Sequence, residues 1–391
     1  MKFLMPLLFI AFFFACKKDK SVQESSKQTN YKKELVPSKK ITLKNNGYFY
    51  SFYTQTDSSN DSIIYRKKMR SGKDGIDIYN VYKKESQQEI IFTPEVLRLL
   101  GRYHGFNVKS KDSIFLFGLN KIMMINSEGD VFFERKLLSD DQFSENKPIS
   151  SAAVMNKSQP YLFQNKIYLT YWVDLPPDKS NALYKSNVTS IYNLNGHFSE
   201  MSHSNYPKAY FDKCLEAVDT EVSNVLRKNT AIFSFPIEDT LYTHDLSGKK
   251  GVKKKIARSK YKKREVEPIP CDKLWDIKTY HKHSYESFLY LDLVYDRFRD
   301  VYYRFCKHPK EDYSMKDKFN SLNDTFSIMV LDSQLNVIYE TEVLNIKPKY
   351  INFDYFVNKE GLWISTSNPD NENYREDELG FELFKLKNNE D

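Results

Sequence analysis

The chain has 391 residues, 40% of them hydrophobic and 15% aromatic, with a formal net charge of +7. Ten Lys or Arg and no acid lie between Lys249 and Arg264, and without those ten charges the balance would be −3, so the basic character is local and excludes a chain-wide basic surface of the nucleic-acid-binding kind. The 28 Tyr and 28 Phe against 12 Gly favour strands and exclude a low-complexity chain.

Met1 to Cys16 reads MKFLMPLLFIAFFFAC. Lys2 precedes an apolar run, Phe3 to Ala15, that is too short for a comfortable transmembrane helix and has the layout of a secretory signal. Charge begins abruptly after it with Lys17-Lys18-Asp19-Lys20. A small residue before a Cys at the end of such a run resembles the lipobox of bacterial lipoproteins. The resemblance implies a signal peptide over 1–15, a lipid on Cys16 and an outer-membrane lipoprotein on the periplasmic or cell-surface face. Residues 16–40 are polar and read as a flexible tether, which leaves 41–391 as a single folded domain.

The first strand group spans Ile41 to Phe92, with an aromatic strand expected over Gly47–Tyr53 and alternation around Ile76 and Ile78. Thr93–Leu100 reads as a short helical connection. The second group holds Ser113–Phe117, Lys121–Asn126 and Val131–Leu138, with Gly129 suited to the last hairpin turn. The third holds Tyr161–Phe163, Lys166–Val173 and Ser190–Leu194. Cys214, Val218, Val222 and Val225 predict a helix over Asp212–Arg227. The fourth group is Ala231–Phe235 and Thr240–Leu246, followed by the basic tract, which reads as a solvated loop. The sixth is Ile351–Val357, Leu362–Ser367 and Phe381–Leu386.

The fifth group is the template. Phe288–Tyr295, Val301–Cys306, Thr325–Leu331 and Val337–Val343 form a four-stranded meander, the unit of a propeller blade. Asp61-Ser62, Asp112-Ser113, Asp239-Thr240 and Asp324-Thr325 each stand directly before an apolar run, as turn-forming side chains do before a strand. Six groups in about 350 residues give about 58 each, above the roughly 40–50 of propeller repeats, and the excess falls in long loops such as Ser139–Ser158. The expected fold is all-β, a propeller of six four-stranded blades, with a β-sandwich or seven blades as alternatives.

Tyr295-Asp296-Arg297-Phe298-Arg299-Asp300-Val301-Tyr302-Tyr303-Arg304-Phe305 followed by Pro309 resembles a domain-of-unknown-function family of Bacteroidetes lipoproteins. The family resembles TolB-like and NHL-type six-bladed propellers. The resemblance implies fold and compartment, and no catalytic residues.

No P-loop, GxGxxG, HExxH or GxSxG occurs in the chain. Asp296, Arg297, Arg299, Asp300 and Arg304 are candidates to clamp an anionic ligand, since guanidinium forks match carboxylates and phosphates; an ion-pair network within one turn explains them as well. His281 and His283 would share one face of a strand if extended and are weak metal candidates. Cys214, Cys271 and Cys306 remain after Cys16, and three buried thiols are expected over one disulfide and one free thiol. Trp172, Trp275 and Trp363 are candidates to stack on sugars, or more simply to fill blade cores. No cofactor and no nucleic-acid partner is expected. The reading is a lipid-anchored, non-catalytic binding or scaffold protein with a protein, peptide or glycan partner at a propeller face. The alternative is an envelope hydrolase, glycoside- or lactone-cleaving, using carboxylates in the channel.

Overall fold

The structure, a computed structural model, describes residues 33–388 except 46–49, 69–73, 119–120, 137–148, 174–186, 196–197, 202–203, 212, 215–216, 248–250, 274 and 311–320. Cys16, the signal segment and the tether up to residue 32 lie outside the described residues.

Six antiparallel sheets follow one another along the chain as the blades of a six-bladed β-propeller. The N-terminal strand is β1 (Lys33–Lys44). Blade 1 is β2 (Thr54–Thr56), β3 (Ile63–Lys68), β4 (Gly75–Asn80) and β5 (Glu85–Ile91). Blade 2 is β6 (Gly105–Ser110), β7 (Ser113–Phe117), β8 (Lys121–Ile125) and β9 (Val131–Lys136). Blade 3 is β10 (Ile149–Ala152), β11 (Tyr161–Phe163), β12 (Lys166–Val173), β13 (Thr189–Asn193) and β14 (Phe198–Glu200). Blade 4 is β15 (Ser223–Arg227), β16 (Thr230–Ser234), β17 (Thr240–Asp245) and β18 (Lys253–Ile256). Blade 5 is β19 (Leu289–Asp296), β20 (Val301–Lys307), β21 (Phe326–Leu331) and β22 (Val337–Glu340). Blade 6 is β23 (Ile351–Asn358), β24 (Gly361–Ser365) and β25 (Glu378–Asn388), completed by β1.

The middle strands are buried along their whole length, as in β20 and β21, because each has a neighbouring blade on both faces. Period-2 alternation then divides one strand between two cores. In β20, Tyr303 and Phe305 pack with Tyr355 and Leu362 of blade 6, while Tyr302 and Cys306 pack with Ile232 and Leu241 of blade 4. The Asp-Ser/Thr junctions mark the start of the second strand in blades 1 and 2, β3 and β7, and of the third strand in blades 4 and 5, β17 and β21.

The structure corrects several expectations. Residues 33–40 are strand, not tether: β1 pairs with β25, setting Leu35 beside Leu386 and Leu43 beside Leu379, and Leu35, Ile41 and Leu43 are buried. The Ile41 segment therefore belongs to blade 6 rather than blade 1, and Tyr50–Tyr53 is not strand. Among the described residues of Asp212–Arg227 only Ala217–Thr220 is helical, and Ser223–Arg227 is β15, because Ser223 and Asn224 are buried against neighbouring blades. The basic tract is not all loop: Lys253–Ile256 is the outer strand of blade 4, and lysines on an edge strand discourage pairing with another chain. His281 and His283 lie on a helix, α2 (Ile277–Glu286), after α1 (Pro94–Leu100), with Asp276 capping its first turn through the amide of Thr279. Cys214 and Cys271 form a disulfide with Cα atoms 5.3 Å apart, and Cys306 is a buried free thiol, so the three thiols expected are one bridge and one thiol.

Leu43 is fully buried among Ile64, Tyr79 and Phe381, where blades 6 and 1 meet. Leu43→Ala is expected to cost about 2–5 kcal/mol of unfolding free energy in a urea titration, because it opens a cavity where the ring closes.

Candidate functional site

Six inner strands, one per blade, surround the axis, and polar side chains join each to the next. Gln55 exchanges two bonds of 2.8 Å with the backbone of Val108, blade 1 to blade 2. Asn107 donates to the carbonyl of Pro160 at 2.9 Å, blade 2 to blade 3. Ser158 donates to the carbonyl of Val222, and Ser223 to that of Lys157, blade 3 to blade 4. Ser223 Oγ accepts from the amide of Leu293 in blade 5. The Tyr355 hydroxyl of blade 6 donates to Asp292 of blade 5 at 2.7 Å. Thr56 donates to the carbonyl of Val357, and Arg66 to Asp354, which closes blade 1 on blade 6.

The inner position of blade 3 is interrupted. Strands β10 and β11 both pair with β12, and after Ala153, whose amide still bonds Thr170 of β12, the chain leaves the sheet until β11. This segment crosses the axis. Its Lys157 carbonyl accepts from the Asn224 amide of blade 4. Asn156 accepts from the Thr54 amide at 2.7 Å and donates to the Phe353 carbonyl at 2.8 Å, reaching blades 1 and 6.

Asn156 borders a cavity on each side. The larger, about 670 Å³, lies toward the ends of the inner strands. Its amides Gln55, Asn107 and Asn156 are committed to the bonds between blades. The smaller, about 230 Å³, lies where the inner strands begin. Phe52 and Phe353, stacked at 4.9 Å and half-buried, form one wall. Asp292, Lys157, Glu221 and Asn352 supply polar groups. Lys157 is ion-paired with Glu221. Asp292 is 5% exposed, and burial pushes its carboxyl up to about 6 against the pull of Lys157 and the Tyr355 hydroxyl. A third cavity, about 720 Å³, lies off the axis beside α2, where Lys263 and Arg264 are offset by Glu265 and Glu267.

The five residues proposed as an anion clamp do not converge. Asp296 accepts from the amides of Phe298 and Arg299 and from the Arg299 guanidinium, within the turn between β19 and β20. Asp300 takes both forks of Arg227. Arg297 reaches the carbonyl of Asp57. Arg304 is fully buried in the body of blade 5. Its guanidinium bonds Ser234 and the carbonyls of Glu238, Asp239 and Ala257, and lies 3.5 Å from the ring centre of Tyr290. It rivets blade 5 to blade 4 with four of its five N–H donors, from a fully buried position that no ligand reaches. His281 and His283, two apart on a helix, point to different faces, and His283 bonds Asp219 at 2.6 Å. No group of three or more His, Cys, Asp or Glu among the described residues could hold a metal ion. Trp363 is core and Trp275 is 82% exposed.

The turns, rivets and hairpins of blade 5 surround the segment that resembled a family. A family model, "Domain of unknown function (DUF4221)", matches residues 33–342. The chain belongs to the DUF4221 family. A crystal structure of a DUF4221 member from Bacteroides vulgatus is 19% identical, with a TM-score of 0.75 over 92% of this chain and 99% of that one, which places the DUF4221 propeller fold on both. A luciferin-regenerating enzyme (8% identical, TM-score 0.44, 89% of this chain and 97% of that one) and Hsv2p of Kluyveromyces lactis (10%, 0.39, 83% and 72%) are more distant. No curated protein matches the chain.

Asn156, Lys157 and the two phenylalanines were not among the candidates, since 153–158 read as the end of a loop. Asp292 did leave a signal. It is the one charge inside the apolar run Phe288–Tyr295, as Asp354 is in Ile351–Val357.

Arg304→Ala is expected to lower stability by roughly 3–5 kcal/mol in urea titration, because one buried and two part-buried carbonyls lose their donor and a large core side chain is removed. Asp292 behaves oppositely. The unfolded carboxyl loses its proton near 3.8 and the folded one near 6, so stability falls as pH rises through that window. Urea titrations at several pH values should find Asp292→Asn more stable than wild type by about 3 kcal/mol above pH 7, converging toward it near pH 4.

Proposed function

We propose that this DUF4221 protein is a non-catalytic binding protein of the bacterial envelope, held to the outer membrane by a lipid on Cys16. A small ligand or a partner's side chain occupies the cavity where the inner strands begin. The observation that carries the binding reading is that cavity: an aromatic wall of Phe52 and Phe353 over one deeply buried carboxylate, Asp292. Apolar walls with a few placed polar groups are what small-ligand sites offer. Binding is favoured over hydrolysis because glycoside cleavage needs two carboxylates acting together, and the other two at this cavity, Glu221 and Asp324, are paired with Lys157 and Lys310. A channel hydrolase is the second reading. It is favoured by the raised pKa of Asp292, which suits a general acid. Turnover of a glycan or lactone substrate that is lost in Asp292→Asn would establish it.

The anchor reading is supported by Met1–Cys16, a short apolar run ending in Ala15-Cys16 and followed at once by charge. Two outcomes test it in the native host. Wild type should partition into detergent and take up a labelled fatty acid, and Cys16→Ser should do neither. Wild-type protein found in the aqueous phase, or a Cys16→Ser protein still carrying label, would overturn it.

A further inference from the structure

The cavity at the start of the inner strands has a charge without a counterion. Asp292 and Asp354 hold the same place, fourth in the inner strands of blades 5 and 6. Asp354 is met by Arg66 at 2.6 Å and by the amide of Ser51. Asp292 is met by one neutral donor, the Tyr355 hydroxyl at 2.7 Å. A carboxylate has room for about four hydrogen bonds, so Asp292 is far from satisfied. The charged groups that act on it are Lys157, from the segment crossing the axis, and Glu221, just before β15, and these two pair with each other. Lys307 and Asp324 also line the cavity but belong to a separate group. Lys307 donates to the carbonyls of Ser284 and Ser287, and Asp324 is paired with Lys310 at 3.8 Å. What remains at the cavity is one buried negative charge beside two stacked aromatic rings.

We propose that this cavity receives a small organic cation, an ammonium or guanidinium on a short apolar stem, with the charged head on Asp292 and the stem against Phe52 and Phe353. The proposal rests on the reading of this cavity as the binding end and names its ligand class. The stacked Phe52 and Phe353 rings give the stem its apolar contact, while the buried carboxylate fixes the head. The volume of about 230 Å³ equals about eight waters of liquid, which suits a ligand of about eight heavy atoms or one basic side chain. A divalent metal fits poorly, since calcium takes six to eight oxygen ligands and, among the described residues lining the cavity, Asp292 is the one carboxylate without a cationic partner. An anion fits poorly because both lysines are engaged.

Isothermal titration of the purified protein with butylamine, putrescine and agmatine, against butanol, butyrate and glucose, tests the class. The amines should bind and the others should not. Asp292→Asn should weaken amine binding at least about 30-fold, as truncating a buried charge partner does. Phe353→Ala should weaken it by a smaller factor. Lowering the pH from 7.5 to 5 should weaken wild-type binding about tenfold, since Asp292 is then mostly protonated. The pH profile and Phe353→Ala keep the test open should Asp292→Asn not fold. Amine binding unchanged in both variants overturns the proposal. Butanol or glucose binding as well as the amines, with Asp292→Asn indifferent, overturns the cation while leaving the cavity a binding site. No binding by any probe overturns the proposal and counts against the site itself.

Discussion

A ring of side-chain bonds around the axis decides the architecture. Each blade is a local meander that the chain folds without reference to distant residues, and nothing in a meander alone sets its angle to the next. The angle is fixed where inner strands meet, and there the structure places hydrogen bonds at all six interfaces, from Gln55–Val108 round to Thr56–Val357. Most join a side chain to a backbone group that the inner strand has no neighbour to satisfy. An inner strand has an open edge facing the channel, and a buried open edge is costly unless its amides and carbonyls find partners. The ring therefore answers a requirement of the fold and fixes its geometry together. At the rim β1 completes blade 6 from the opposite end of the chain, so the ring is closed by backbone outside and by side chains inside.

The same requirement explains the interruption of blade 3. Blade 3 gives up a continuous inner strand and sends residues 154–160 across the axis. Asn156 then meets backbone groups of blades 1 and 6 that no sheet neighbour could reach. One consequence is that Asn156 borders both cavities. Another is that Lys157 is delivered beside Glu221 by a segment held at both ends. The larger cavity offers mostly amides already committed to the ring, and the smaller one keeps a charge that the ring leaves under-bonded.

The sequence discloses whatever is local. The four strands of blade 5, α1 and most second and third strands of the blades are legible from apolar runs bounded by turn residues. Inner and outer strands are not. Strand β6 opens on Gly105, β15 is only Ser-Asn-Val-Leu-Arg, and β18 is Lys-Lys-Lys-Ile, because an inner strand is chosen for polar links and an outer one for solvent. Strand β1 is illegible for a different reason, since its partner lies over 330 residues away and its burial rests on Leu35, Ile41 and Leu43. Arginines close together in sequence suggested a clamp, but alternation sends Arg304 into the core facing blade 4 while its neighbours stay in a turn. The Asp292 site is assembled from blades 1, 3, 4, 5 and 6, so no single stretch contains it.

Asp354 provides the comparison that gives Asp292 its meaning. Both are acids at the fourth position of an inner strand, and both are deeply buried. The fold neutralises Asp354 with Arg66. Asp292 receives only a phenol, although the bond it accepts from Tyr355 is one an asparagine carbonyl would accept equally well. Ring closure between blades 5 and 6 thus requires an acceptor at 292 and does not require a charge. A buried charge that the fold does not need, set at the end of a cavity with aromatic walls, lowers stability at neutral pH. Sites that bind or react commonly carry such a cost in the unoccupied state, and it is recovered when the complementary group arrives.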